Sequence, residues 1–158
     1  MNISVICVGK LKEQFLRDGC AEYIKRLSPY AKTQIIEIAE ERAPDAPSEA
    51  EILNIIEKEG ERIAAKIPKG AAVIPLCIEG REFHSPEFAQ EIEKLSLCNS
   101  KIAFVIGGSF GLSDKVKSLG KLKLSFGKMT LPHQLARLVL CEQVYRAFSI
   151  LNHARYHK

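Results

Sequence analysis

Ile102-Ala103-Phe104-Val105-Ile106-Gly107-Gly108-Ser109-Phe110-Gly111 is an apolar run that breaks into glycine. It reads as a buried strand feeding a tight loop. Shortly afterwards a second strand-like run, Leu122-Lys123-Leu124-Ser125-Phe126, enters Gly127-Lys128-Met129-Thr130-Leu131-Pro132-His133, and a long helical pattern follows. Loops at the carboxyl ends of adjacent parallel strands form the crevice in which open α/β sheets hold their ligands. The two loops therefore predict a backbone-lined pocket for a small-molecule cofactor.

Upstream of that stretch, strands and helices alternate. Residues 2–8 read as a strand. Residues 12–27 carry Phe15, Leu16, Cys20, Tyr23, Ile24 and Leu27 at helical spacing and stop at Ser28-Pro29. A strand at 34–39 precedes a proline-containing loop from Glu40 to Pro47. Ser48 and Glu51 form a capping box that opens a helix running to about Ile67. A strand at 71–78 follows, then a helix started by Ser85-Pro86, proline being favoured at the first helical position. The strand at 102–106, a short helix near 113–119, the strand at 122–126 and a helix over 132–151 complete the chain. This alternation predicts an α/β fold: a mostly parallel sheet with helices on both faces. At 158 residues the chain reads as a single domain spanning 1–158.

The charge is unevenly placed. Residues 1–100 hold 13 Lys/Arg against 17 Asp/Glu, whereas residues 101–158 hold 10 against only Asp114 and Glu142. A basic segment around a cofactor pocket points to a polyanionic partner, with RNA or DNA the commonest. The lysines at 115, 117, 121 and 123 fit equally with a solvated helix and loop. No apolar run is long enough to span a bilayer. The first residues lack the basic n-region and cleavage site of a signal peptide, so the expected location is the cytoplasm. Five cysteines, without paired or metal-ligand spacing, are expected to be reduced and buried, and neither metal nor disulfide is expected.

Other ligand signatures are missing: a P-loop, a G-x-G-x-x-G fingerprint with its acidic partner, and a G-x-S-x-G elbow. The last helix is apolar over more than one stripe, through Leu135 to Cys141 and again through Val144 to Phe148. Coverage that wide predicts burial on two sides, and a second copy of the chain is the expected cover.

Four motifs in order resemble one family. Val105-Ile106-Gly107-Gly108-x-x-Gly111-Leu112, Ser125 to Gln134 through Thr130-Leu131-Pro132-His133, Glu142-Gln143-Val144-Tyr145-Arg146-Ala147, and the ending Tyr156-His157-Lys158 are similar to bacterial methyltransferases of a pseudouridine in large-subunit (23S) ribosomal RNA. These enzymes belong to the SPOUT, or α/β-knot, class. Val8-Gly9-Lys10 and Glu57-Lys58-Glu59-Gly60 extend the likeness across the chain. The resemblance implies a C-terminal deep trefoil knot, an exception to un-knotted topology, within about residues 70–158. It also implies a homodimer formed through the last helix and S-adenosyl-L-methionine held mainly by main-chain groups. The implied cofactor residues are Leu76, Gly107, Gly108, Phe126, Gly127, Lys128, Met129, Thr130 and Leu131, with His133 beside them. The residues alone had marked the second and third of these loops but not Leu76.

Methylation at N3 of a pseudouridine needs in-line approach of two positioned reactants and a group that accepts or stabilises the N3 proton and charge. The resemblance places that task on the tail, with His157 and Lys158 foremost, then Tyr156 and Arg155. His153, His133 and Arg137 are further candidates, and Tyr156 has a second possible role, stacking on the target base. Left alone, a six-residue tail is expected to fray. Two other readings remain at this point: a relative acting on transfer RNA or another ribosomal site, and a ribosome-binding factor without catalysis. The assembled ribosome is the expected partner, because one small domain carries little surface with which to find one base.

Overall fold

A computed structural model describes residues 1–158. Four strands, β1 (Asn2–Val8), β2 (Lys32–Ile38), β3 (Ala72–Arg81) and β4 (Lys101–Ile106), form one sheet in the order β2-β1-β4-β3. Every pairing is parallel, with Ile6 opposite Val105 and Ile74 opposite Phe104. The helices are α1 (Gln14–Leu27), α2 (Glu49–Ala64), α3 (Ser85–Cys98), α4 (Asp114–Ser118) and α5 (His133–Leu151). The expected α/β architecture is therefore present.

Both sheet faces are covered, as the continuous burial of β1 and β4 requires. On one face Ile3, Val5, Ile74 and Phe104 pack with Leu27 of α1, Phe88 and Ile92 of α3, and Leu140 and Val144 of α5. On the other, Ile6, Val8, Ala103 and Val105 meet Ile63 of α2 and Val116 of α4. Local signals act as read: the Ser48 hydroxyl accepts from Glu51 N while the Glu51 carboxylate accepts from Ser48 N, and Pro86 sits in the first turn of α3.

The expected strand at 122–126 is not a regular strand. Residues 120–125 follow the outer edge of β3 through three separate hydrogen bonds, Lys121 N to Val73 O (2.8 Å), Arg81 N to Lys123 O (2.9 Å) and Ser125 N to Arg81 O (3.0 Å). Pro75 has no N–H for this edge, and its ring stands where Gly120 has no side chain. Leu124 bridges both Leu76 and Arg81, so β3 curls around it. That curl extends β3 three residues past the expected end at 78. The chain leaving β4 thus passes α4 on one face, rounds the β3 edge, and returns as α5 on the opposite face.

α5 lies between α1 and α3. Gly19 lets Leu138 come so close that a Cβ there would be 2.8 Å from its Cδ1, and the Tyr23 and Tyr145 rings are 6.1 Å apart. Part of the second apolar stripe is therefore covered within the chain. Leu135 remains exposed, Leu138 and Val139 are half-buried, and Phe15 of α1 is 67% exposed. The cysteines are all free, but Cys98 is exposed and Cys77 half-buried, contrary to the expectation that all five are buried. Cys98 ends α3, and Cys77 lies past Pro75, the last residue of β3 that pairs with β4. No helix is long and apolar enough to cross a membrane.

Candidate active site

The carboxyl ends of β3 and β4 and the first turn of α5 enclose a cavity of about 680 Å³, within the size range of cofactor sites. Nine of the ten residues expected to hold a cofactor line it: Leu76, Gly107, Gly108, Phe126, Gly127, Met129, Thr130, Leu131 and His133. Lys128 is exposed and takes no part in the wall. Phe110 of the predicted Gly107 loop lines it too, as do Ile78, Glu79 and Lys117, which were not read from the sequence. The curl of β3 brings Ile78 and Glu79 there, and no local pattern announces a curl.

The loops have little freedom. Gly111 N donates to Gly108 O at 3.1 Å, and a Cβ on Gly107 would be 2.5 Å from the Gly111 carbonyl oxygen. Gly111 (φ +87°) and Gly127 (φ +120°) line the cavity in the left-handed region, and the position of a Cβ on either has no neighbour within 4 Å. The Ser125 hydroxyl accepts from Gly127 N at 3.1 Å and holds that turn. Exposed main chain around an empty cradle that a side chain would fill fits the S-adenosylmethionine expected here. The one carboxylate in the wall, Glu79, is paired with Lys117 at 2.5 Å, and that hydrogen bond holds its carboxyl below the usual range.

Beside the cavity, the loop after β1 is pinned to α5. Lys12 N donates to the Gln134 side chain at 2.9 Å. Arg137, 1% exposed, bonds Gly9 O and the Glu37 carboxylate, both at 2.8 Å. The guanidinium named as a candidate stabiliser of the target base is thus committed to holding its own chain. His133 Nε2 would be 3.5 Å from a Cβ on Gly9, whose φ of +80° suits glycine.

The tail is ordered and lies elsewhere. His153 adopts φ +53° and turns the chain back along α5. Tyr156 donates to Glu142 at 2.9 Å, its ring is 4.7 Å from that of Tyr145, and the Arg146 guanidinium covers it at 4.7 Å. Arg146 also pairs with Glu142 (2.5 Å) and approaches His157 Nδ1 (3.3 Å). The Arg146–Glu142 pair is therefore the half-buried anchor of the tail. Tyr156 is an anchor too: burial and the hydrogen bonds with Tyr23 and Glu142 raise its pKa. Arg155, His157 and Lys158 are exposed. No tail residue lines the cavity, and His133 at the cavity and Glu142 at the tail anchor, nine positions apart on α5, are separated by about 13 Å of helix.

Comparison with known proteins agrees with this geometry. A family model described as "Predicted SPOUT methyltransferase" matches residues 1–157. A protein of an Exiguobacterium species named ribosomal RNA large subunit methyltransferase H is 57% identical, and one of the same name from Listeria monocytogenes is 54% identical. Each alignment covers 100% of both chains. Among solved structures, the tRNA (m1G37) methyltransferase of Aquifex aeolicus superimposes with a TM-score of 0.55 at 14% identity, over 92% of this chain and 70% of that one. At that identity the likeness concerns the fold.

Proposed function

The chain belongs to the SPOUT methyltransferase family, and from that premise we propose that it methylates N3 of a pseudouridine in large-subunit ribosomal RNA, on the assembled ribosome in the cytoplasm. The names of full-length relatives at 54–57% identity support the ribosomal substrate. The observation that carries the reading is the cavity of bare main chain at the carboxyl ends of β3 and β4, framed by Gly107, Gly108 and Gly127.

S-adenosylmethionine, when bound there, supplies an electrophilic sulfonium methyl. The Gly107–Leu112 and Phe126–Leu131 loops hold it and keep it still, which turns an encounter into an in-line approach. N3 must shed a proton. The His157 imidazole takes it, and Lys158 and Arg155 stabilise the anionic base meanwhile; the pair left on N3 would bond the methyl carbon as its carbon–sulfur bond breaks, the bonding pair leaving on the uncharged thioether. Tyr156 fixes the tail to Glu142 and Tyr145 so that these three groups project together.

With about 13 Å of helix between tail and cavity, the tail of one chain serves the cavity of a second. A two-fold dimer along the Leu135–Leu138–Val139 strip of α5, extended by Phe15, with its axis across the helix so that the two α5 helices run antiparallel, sets the cavity end of one α5 beside the tail end of the other. The exposed lysines at 115, 121, 123 and 128 then meet RNA phosphates.

The test is transfer of radiolabelled methyl from S-adenosylmethionine to 70S ribosomes, separated large subunits, protein-free ribosomal RNA and transfer RNA, all from cells lacking the modification. Label in large-subunit RNA of particles is expected. Label confined to transfer RNA would move the substrate, and label nowhere would remove the activity.

A further inference from the structure

Behind the glycine wall lies a charge that the mechanism does not use. Glu59 of α2 is 3% exposed and takes part in no salt bridge. Its Oε1 accepts from Glu41 N at 2.9 Å. Its Oε2 lies against Gly108, 3.0 Å from where a Cβ would be, and Val8 Cγ1 is 3.1 Å from the same point. The nearby cations are engaged elsewhere: Lys58 and Arg62 both pair with Glu41, and Arg62 also donates to Ala39 O. Helix α2 can approach so closely only because residue 60 is glycine, whose Cβ would be 2.5 Å from the Ser113 hydroxyl.

The position is electrostatically asymmetric. Gly108 faces the cavity, and the carboxylate sits on its far side. Glu79, the carboxylate in the wall itself, is neutralised by Lys117. A buried carboxylate without a counter-ion is costly, so a role that uses its charge needs a cation. The cavity wall offers no free cation within salt-bridge reach of Glu59. The ligand that belongs there carries one on sulfur before reaction and none after it.

We propose that Glu59 acts through the Gly108 wall as the counter-charge that makes the cavity prefer the sulfonium cofactor to its uncharged thioether product. The inference rests on the S-adenosylmethionine reading of the cavity. It makes product departure follow from chemistry: once the methyl has moved, the attraction toward Glu59 is gone. Glu59 is a positioning residue, since it touches the ligand only through the glycine. The groups facing it are Glu40 and Glu41 from the loop after β2 and Arg62 from its own helix. The Gly107–Leu112 loop brings no charge. Burial, with Glu40 and Glu41 close by, raises the Glu59 pKa above the ordinary carboxylate value, so the preference weakens as the solution is acidified through that pKa.

The experiment is calorimetric binding of S-adenosylmethionine and S-adenosylhomocysteine to the wild-type chain and to Glu59→Gln. Glutamine keeps an oxygen for Glu41 N and nearly the same shape, so the fold is retained. The expected result is a loss of about tenfold in affinity for the sulfonium ligand, about 1.4 kcal/mol, with less than about twofold change for the thioether. A unit charge acting over about 10 Å at an effective dielectric of about 20 gives this order. Equal losses for both ligands mean that Glu59 merely shapes the loop, and unchanged affinities mean that its charge is not felt; either overturns the proposal. A wild-type chain that binds neither ligand overturns the cofactor reading itself. The ratio of the two wild-type affinities over pH 4–8 gives a second measurement, in which the amino and carboxyl groups common to both ligands cancel. The slope must shrink in Glu59→Gln, and a slope unchanged in the variant also overturns the proposal.

Discussion

Replacing Gly107 with alanine tests the loop geometry most sharply. A Cβ there stands 2.5 Å from the Gly111 carbonyl oxygen, 2.6 Å from its carbon and 3.1 Å from Leu112 Cδ2. An ordinary carbon–oxygen contact is about 3.3 Å, so the Gly111 peptide must retreat by about 0.8 Å. Two of the three obstacles are main chain and cannot rotate away. Overpacking of this kind costs about 1–3 kcal/mol, which lowers Tm by about 2–12 °C in a chain of this size. The retreat also displaces Gly111, part of the cavity wall, so affinity for S-adenosylmethionine falls at least about tenfold. Gly70→Ala is the control: φ is +77° and no atom lies within 4 Å of its Cβ. It costs about 1–2 kcal/mol of backbone strain and leaves binding unchanged. Differential scanning calorimetry and isothermal titration read both effects. A Gly107→Ala protein with wild-type Tm and wild-type affinity would refute the argument.

Arg137→Met should lower stability by about 3 kcal/mol, because Gly9 O and Glu37 lose a buried partner; urea unfolding measures this, and a loss below about 1 kcal/mol would mean that the pair is idle. For the shared site, mixing a Gly107→Ala protomer with one lacking residues 153–158 should restore methyl transfer, since one cavity then meets one intact tail. Inactive mixed dimers would place the tail in its own chain. Glu59, whose folded-state pKa is raised by burial, contributes stability that is fully present below its unfolded pKa of about 4.3 and is lost as pH rises through the folded value. Glu59→Gln should therefore gain stability relative to wild type at pH 7 and match it near pH 3, as chemical denaturation at the two pH values will show.

Much of this architecture is written locally. The Ser48–Glu51 capping box, Pro86 at the start of α3, and the runs entering Gly107 and Gly127 each act within a few residues, and each lies where the sequence puts it. What was not legible depends on distant partners. The Leu122–Phe126 run has strand composition, yet Pro75 and Gly80 of β3, far away in the chain, decide how it pairs. Arg137 read as a site residue because its partners are Glu37, 100 positions away, and a carbonyl 128 positions away. Without the family likeness the tail reads as frayed, because Tyr156 finds Glu142 and Tyr145 only after His153 reverses the chain. Glu59 stood in a recognisable motif, but its place behind Gly108 emerges only when α2 packs on the loop.

The most direct test of the central claim is nucleoside mass spectrometry of large-subunit ribosomal RNA, after incubation of unmodified ribosomes with the enzyme and S-adenosylmethionine. The account predicts one new nucleoside, N3-methylpseudouridine, formed on ribosomes that carry the pseudouridine without its methyl group and absent when the target uridine is never isomerised. A methyl group on any other base, or on the unisomerised uridine at equal rate, would contradict it.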